Sequence, residues 1–63
     1  MIKIKKFYKS SSWSRKYKEL VMEELNEFIE KNKIERSNIL ELRTHEENKT
    51  TYNSFEVVIS WWQ

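Results

Sequence analysis

Glycine and proline are both missing from this 63-residue chain, and that absence limits its fold more than any motif does. Glycine is the default residue where a backbone turns left-handed, and proline presets the first corner of common turns. Turns must therefore be built from Asn, Ser, Thr or charged residues, and no glycine loop exists to cradle a phosphate. Alanine, aspartate and cysteine are absent too. Missing Gly, Ala and Pro beside abundant Lys, Asn, Ile and Glu fits the codon bias of a low-GC bacterium or its phage. Missing Cys removes disulfides and thiolate zinc sites, and a single histidine, His45, offers no metal staple.

A chain of this length is expected to form one domain, 1–63, near the lower size limit for independent folding. Such a domain buries only about 60% of the surface its unfolded chain exposes. Stability must then come from its three Trp, three Tyr and three Phe, or from self-association. No apolar run is long enough to span a bilayer. The opening MIKIKKFYKSSS lacks the apolar core of a secretory signal. A cytoplasmic protein with no membrane partner is the expectation.

Alternation in MIKIKKFY marks a first strand, with Ile2 and Ile4 opposite Lys3 and Lys5. A bulge at Lys5-Lys6-Phe7 would bring Phe7 to the side of the two isoleucines. From about 13 to 33 the apolar spacing turns helical: Trp13, Tyr17, Val21, Leu25 and Ile29 step by four, with Leu20 and Phe28 beside them. Ser11 or Ser12 is the expected N-cap. Arg15, Lys16 and Lys18 oppose the positive end of the helix dipole, which hints at another reason for their placement. NILELRTHE reads as a second strand, with Leu40 and Leu42 on one face and Ile39, Glu41, Arg43 and His45 on the other. ENKTT makes a hairpin in which Asn48 is the expected left-handed residue. The third strand, TYNSFEVVISWW, is the most apolar and belongs in the centre.

These elements predict an α+β domain of order β-α-β-β, one helix (about 13–33) on a three-stranded antiparallel sheet ordered 1-3-2. The helix stripe would cover Ile2, Ile4, Leu40, Leu42, Phe55, Val57, Ile59 and Trp61. Adjacent strand residues point to opposite faces, so only one of Trp61 and Trp62 can lie under the helix. Continuing Phe55-Val57-Ile59 puts Trp61 inside and Trp62 on the open face. Trp62, Val58, Tyr52 and Ile39 are the candidate protein interface, since an aromatic apolar patch rimmed by charge marks a contact surface. Sheets packed face to face, or edge strands paired across a two-fold axis, would both give a homodimer.

Lys3, Lys5, Lys6, Lys9, Arg15 and Lys16 make the N-terminal segment basic, with aromatics interleaved, a mixture that can hold a phosphate backbone and stack bases. The net charge of +2 and the glutamates of the helix favour instead a solvated basic end on a dipolar molecule. Glu24, on the margin of the apolar stripe, reaches to solvent or pairs with a cation from the first strand or a second subunit. His45-Glu46-Glu47 offers no third metal ligand, and the serines from Ser10 to Ser14 have no base to activate them. Neither catalytic residues nor a cofactor is expected.

IKIKKF, ELVMEELNEFIEKNKI and the apolar strand YNSFEVVIS resemble the small sporulation-associated proteins of low-GC Gram-positive bacteria over most of the chain. That family implies no biochemical activity to carry over. The β-α-β-β order is also similar to the dodecins, small flavin-storing oligomers. A dodecin needs a flavin-stacking Trp in its second strand, where this chain reads NILELR, so flavin binding does not carry over. The leading expectation is a small non-enzymatic protein-binding module, a homodimer that occupies a surface of a larger protein partner as phage-type inhibitors of host or defence proteins do. The runner-up is a nucleic-acid-binding protein using the basic first strand and helix start.

Overall fold

The computed structural model describes residues 1–11 and 16–63. Strand β1 (Ile2–Ser11) leads to helix α1 (Tyr17–Lys31), a short 3-10 turn (Arg36–Asn38), and strands β2 (Ile39–Asn48) and β3 (Asn53–Trp62). The sheet is ordered β1-β3-β2, and β3 is antiparallel to both neighbours. This is the α+β arrangement the patterning predicts. Among the described residues, no helix is long and apolar enough to cross a membrane.

Each strand has ten residues and the helix fifteen. At about 3.4 Å per strand residue and 1.5 Å per helical residue, the strands run roughly 34 Å and the helix roughly 22 Å. One helix therefore covers about two-thirds of the sheet's length, and it packs over β1 and β3 rather than β2. The result is an elongated slab of 40 × 17 × 13 Å. Its radius of gyration of 13.0 Å exceeds the roughly 11 Å of a compact chain this long.

The core is thin. Val21, Leu25, Val57 and Ile59 are fully buried, and Phe7, Tyr17 and Trp61 nearly so. Phe28, Ile29, Ile34, Ile39 and Phe55 pack around them. Phe28 stands at the centre of an aromatic cluster, meeting the rings of Phe7 (5.5 Å) and Trp61 (5.4 Å) edge to face. Such pairs add about 0.5–1.5 kcal/mol beyond their buried area, a useful share in so small a core. One stripe position departs from expectation: Leu20 is 46% exposed. Trp13 lies outside the described residues.

The first strand corrects the expected phase. β1 and β3 pair without interruption from Ile2↔Trp62 to Ser11↔Asn53, so there is no bulge at Lys5–Phe7. Directly paired residues share a face. Phe7, opposite Val57, lies under the helix with Lys3, Lys5 and Lys9, while Ile2 and Ile4 share the open face with Trp62 and Ser60. At an outer strand beyond the helix's full cover, lysine stems can line the margin with their charged heads in water. Lys5 Nζ stands 5.9 Å from the Phe7 ring centroid in that way. An unbroken ladder also avoids the unpaired residue that a bulge would leave.

β2 holds the irregularity instead. Its register shifts between Ile39 and Glu41, making Leu40 the extra residue. Ile39, opposite Trp61, consequently lies on the helix side with Leu42, opposite Ile59. Leu42 stays 46% exposed there because the helix does not reach over β2. The helix start also differs. Ser11 belongs to β1, and the N-cap is Lys16 with no side-chain cap bond; Ser12 is outside the described residues. Among the described residues the left-handed one is Lys33 (φ 51°) rather than Asn48.

Candidate protein-contact face

The sheet face away from the helix is arranged in five cross-strand rows, written β1, β3, β2. They are Ile2–Trp62, Ile4–Ser60–Glu41, Lys6–Val58–Arg43, Tyr8–Glu56–His45 and Ser10–Ser54–Glu47. Apolar groups gather at one corner. Ile4 is 69%, Ile2 57% and Trp62 55% exposed, with half-buried Val58 next and exposed Tyr8 farther along β1. Among the described residues no second layer covers them, because helix α1 is committed to the other face.

Charged side chains fill the middle and the β2 side. Lys6 Nζ is 3.2 Å from Glu56 Oε1, Arg43 Nε 2.7 Å from Glu41 Oε1, and His45 Nε2 3.3 Å from Glu47 Oε1. Between β2 and β3 a shallow groove of about 500 Å³ is lined by Arg43, Thr44, His45, Glu56 and Val58. An apolar corner bordered by satisfied charge suits a protein contact: the apolar part drives association and the border sets register.

The expected interface residues divide. Trp62 and Val58 stand on this face. Ile39 does not, since the bulge at Leu40 turns it to the helix side of the sheet, against the core. Tyr52 is exposed but lies in the hairpin before β3 begins, where its carbonyl accepts the Lys49 amide at 2.8 Å. Ile2, Ile4 and Tyr8 are the members that sequence reasoning missed. Their even numbering, shared through Lys6 and Ser10, was the available signal, and the assumed bulge obscured it.

The basic residues are dispersed. Lys3, Lys5 and Lys9 lie on the helix side of β1 and Lys6 on the open side. Lys6 is paired with Glu56, and Lys9 with Glu24 at 3.0 Å, one of the two roles foreseen for that glutamate. Lys16 is the helix N-cap, and Arg15 lies outside the described residues. Lys18, awkwardly placed for the helix dipole, pairs with Glu46 on β2 and stands 5.8 Å from the Phe55 ring centroid. The Glu46 hydrogen bond holds the Lys18 pKa above the ordinary lysine value, outweighing the lowering by burial. This pair ties the helix to the strand it does not cover.

Among the described residues, no group of three His, Cys, Asp or Glu side chains is placed to hold a metal ion. His45 and Glu47 share the open face, while Glu46 points to the other side toward Lys18. Comparison with known protein families, curated proteins and solved structures gave no match.

Proposed function

We propose that this chain is a small non-enzymatic protein-binding module that acts as a homodimer and holds a larger protein against the apolar corner of its open sheet face. The observation that carries this reading is the joint exposure of Ile2, Ile4 and Trp62 on adjacent strands of a face that no other described element covers. A domain that buries so little within itself gains most by burying such a corner in a complex. The mode of action is occupation: the module covers a surface of its partner, as a phage-type inhibitor of a host or defence protein does. The composition suits the cytoplasm of a low-GC bacterium or its phage.

The test compares immobilised wild type with an Ile4→Lys/Trp62→Ala variant in such a bacterial lysate, with retained proteins quantified by mass spectrometry. Both changed residues are exposed, so circular dichroism should show the same fold for each. A partner retained by the wild type and lost by the variant supports the reading. Equal retention by both would refute it. The nucleic-acid reading draws less support, because Lys6, Lys9 and Lys18 each have a carboxylate partner and the strand lysines divide between two faces.

A further inference from the structure

Among the described residues β2 is an outer strand with nothing paired beyond it, and its charges follow a self-complementary order. Glu41, Arg43, His45 and Glu47 lie on the open face. Lys49 continues that face, because its amide donates to the Tyr52 carbonyl and extends the ladder one pair beyond Asn48 and Asn53. Along the strand the formal charges run negative, positive, His45, negative, positive. The series inverts its sign about His45. A second β2 laid antiparallel across a two-fold axis normal to the sheet, and passing through His45, places Arg43 opposite the second copy's Glu47 and Glu41 opposite its Lys49. Symmetry makes each pair occur twice.

Neighbouring registers fail. Faces match only when the axis passes through a residue, because side chains alternate. An axis at Arg43 sets that arginine against itself, and one at Thr44 sets Glu41 against Glu47. An axis at Glu46 opposes Arg43 and Lys49, and one at Glu47 opposes that carboxylate to its copy. Like charges directly opposite one another destabilise a sheet, whereas opposite charges contribute. β1, the other edge, is a poor self-partner: it carries four lysines and no acid, so no register of two β1 edges forms an ion pair. The helix over β1 and β3 leaves the approach to β2 open, and the bulge at Leu40 falls outside the paired stretch 41–49.

We infer that the chain dimerises by pairing its β2 edges in the register centred on His45, giving one six-stranded sheet ordered β1-β3-β2-β2-β3-β1. This rests on the self-association proposed above and gives it a geometry. The apolar corner, on β1 and β3, stays free for the larger partner.

Sedimentation equilibrium at roughly 200 µM, a concentration that detects weak pairing, tests the register by charge exchange. Arg43→Glu and Glu47→Arg each set like charges opposite one another and should weaken the dimer at least about tenfold. Arg43 is exposed and Glu47 half-buried, and circular dichroism checks that each variant stays folded. Mixing the two variants restores opposite charges at both sites, so the mixture should form heterodimers although each alone is monomeric. Trp62→Ala should leave the mass unchanged. A monomeric wild type would remove self-association altogether. A wild-type dimer broken by Trp62→Ala, and indifferent to the charge variants, would keep the homodimer but move it to the open face. A mass that climbs without a plateau would indicate β1 pairing with β2 in open chains. Any of these three results overturns the proposed edge pairing.

Discussion

Replacing Lys33 by glycine isolates the cost of ending a helix without the residue best suited to do so. Helix α1 closes with Asn32 as its C-cap, followed by Lys33 in the left-handed region at φ 51°. The Lys33 amide donates to the Glu30 carbonyl at 3.2 Å and the Ile34 amide to the Ile29 carbonyl at 3.0 Å. Those two bonds define a Schellman termination, and Ile34 and Ile29 both pack on the core beside it. A residue with a Cβ loses about 1–2 kcal/mol in the left-handed conformation. Glycine avoids that loss but gives up about 0.4–1 kcal/mol through its freer unfolded chain. Lys33→Ala is the proper reference, since it removes the same charge from the helix end while keeping the Cβ. Lys33→Gly should therefore exceed Lys33→Ala in stability by about 1 kcal/mol. With an unfolding entropy near 2.1 cal/mol/K per residue, that difference raises the midpoint by roughly 8 °C. Thermal melts followed at 222 nm, supported by urea titration, measure it. The neighbouring substitution Asn32→Gly should go the other way, since Asn32 has a negative φ (−92°) that needs no glycine and its Nδ2 donates to the Phe28 carbonyl at 2.8 Å. If Lys33→Gly is no more stable than Lys33→Ala, the helix does not end through a left-handed lysine and the reasoning fails.

Leu25→Ala should cost about 3 kcal/mol by leaving a cavity among Val21, Val57 and Ile59, enough to abolish cooperative urea unfolding in a domain this small. The Lys18–Glu46 pair should make stability fall at alkaline pH. Because the folded Lys18 pKa is raised, its contribution is complete below the ordinary lysine value and disappears as pH climbs through the folded one. Glu46→Gln should flatten that alkaline fall in a pH series of urea midpoints. Binding to single-stranded DNA should be undetectable by fluorescence anisotropy even at low salt; affinity that falls steeply with salt, and whose slope shrinks on Lys5→Gln, would revive the nucleic-acid reading.

Much of this architecture is written in the spacing of apolar residues. Tyr17, Val21, Leu25 and Ile29 recur at the helical period, and Phe55, Val57, Ile59 and Trp61 at the strand period, each over enough turns or pleats to fix which side meets the other. Length and position then leave the most apolar strand in the middle, and the rule of alternating faces sends Trp61 inward and Trp62 outward. Phase at the two outer strands was a different matter. Ile2, Ile4, Leu40 and Leu42 looked like core on hydrophobicity alone. Whether they are buried depends on how far a roughly 22 Å helix extends over roughly 34 Å strands, and on which strand carries the bulge. Local sequence does not encode either quantity. The continuous β1–β3 ladder, the irregularity at Leu40 and the seating of the helix over β1 and β3 are set by packing between segments far apart in the chain. Those three tertiary choices turned Ile39 to the helix side, brought Ile2 and Ile4 beside Trp62, and left β2 a clear edge.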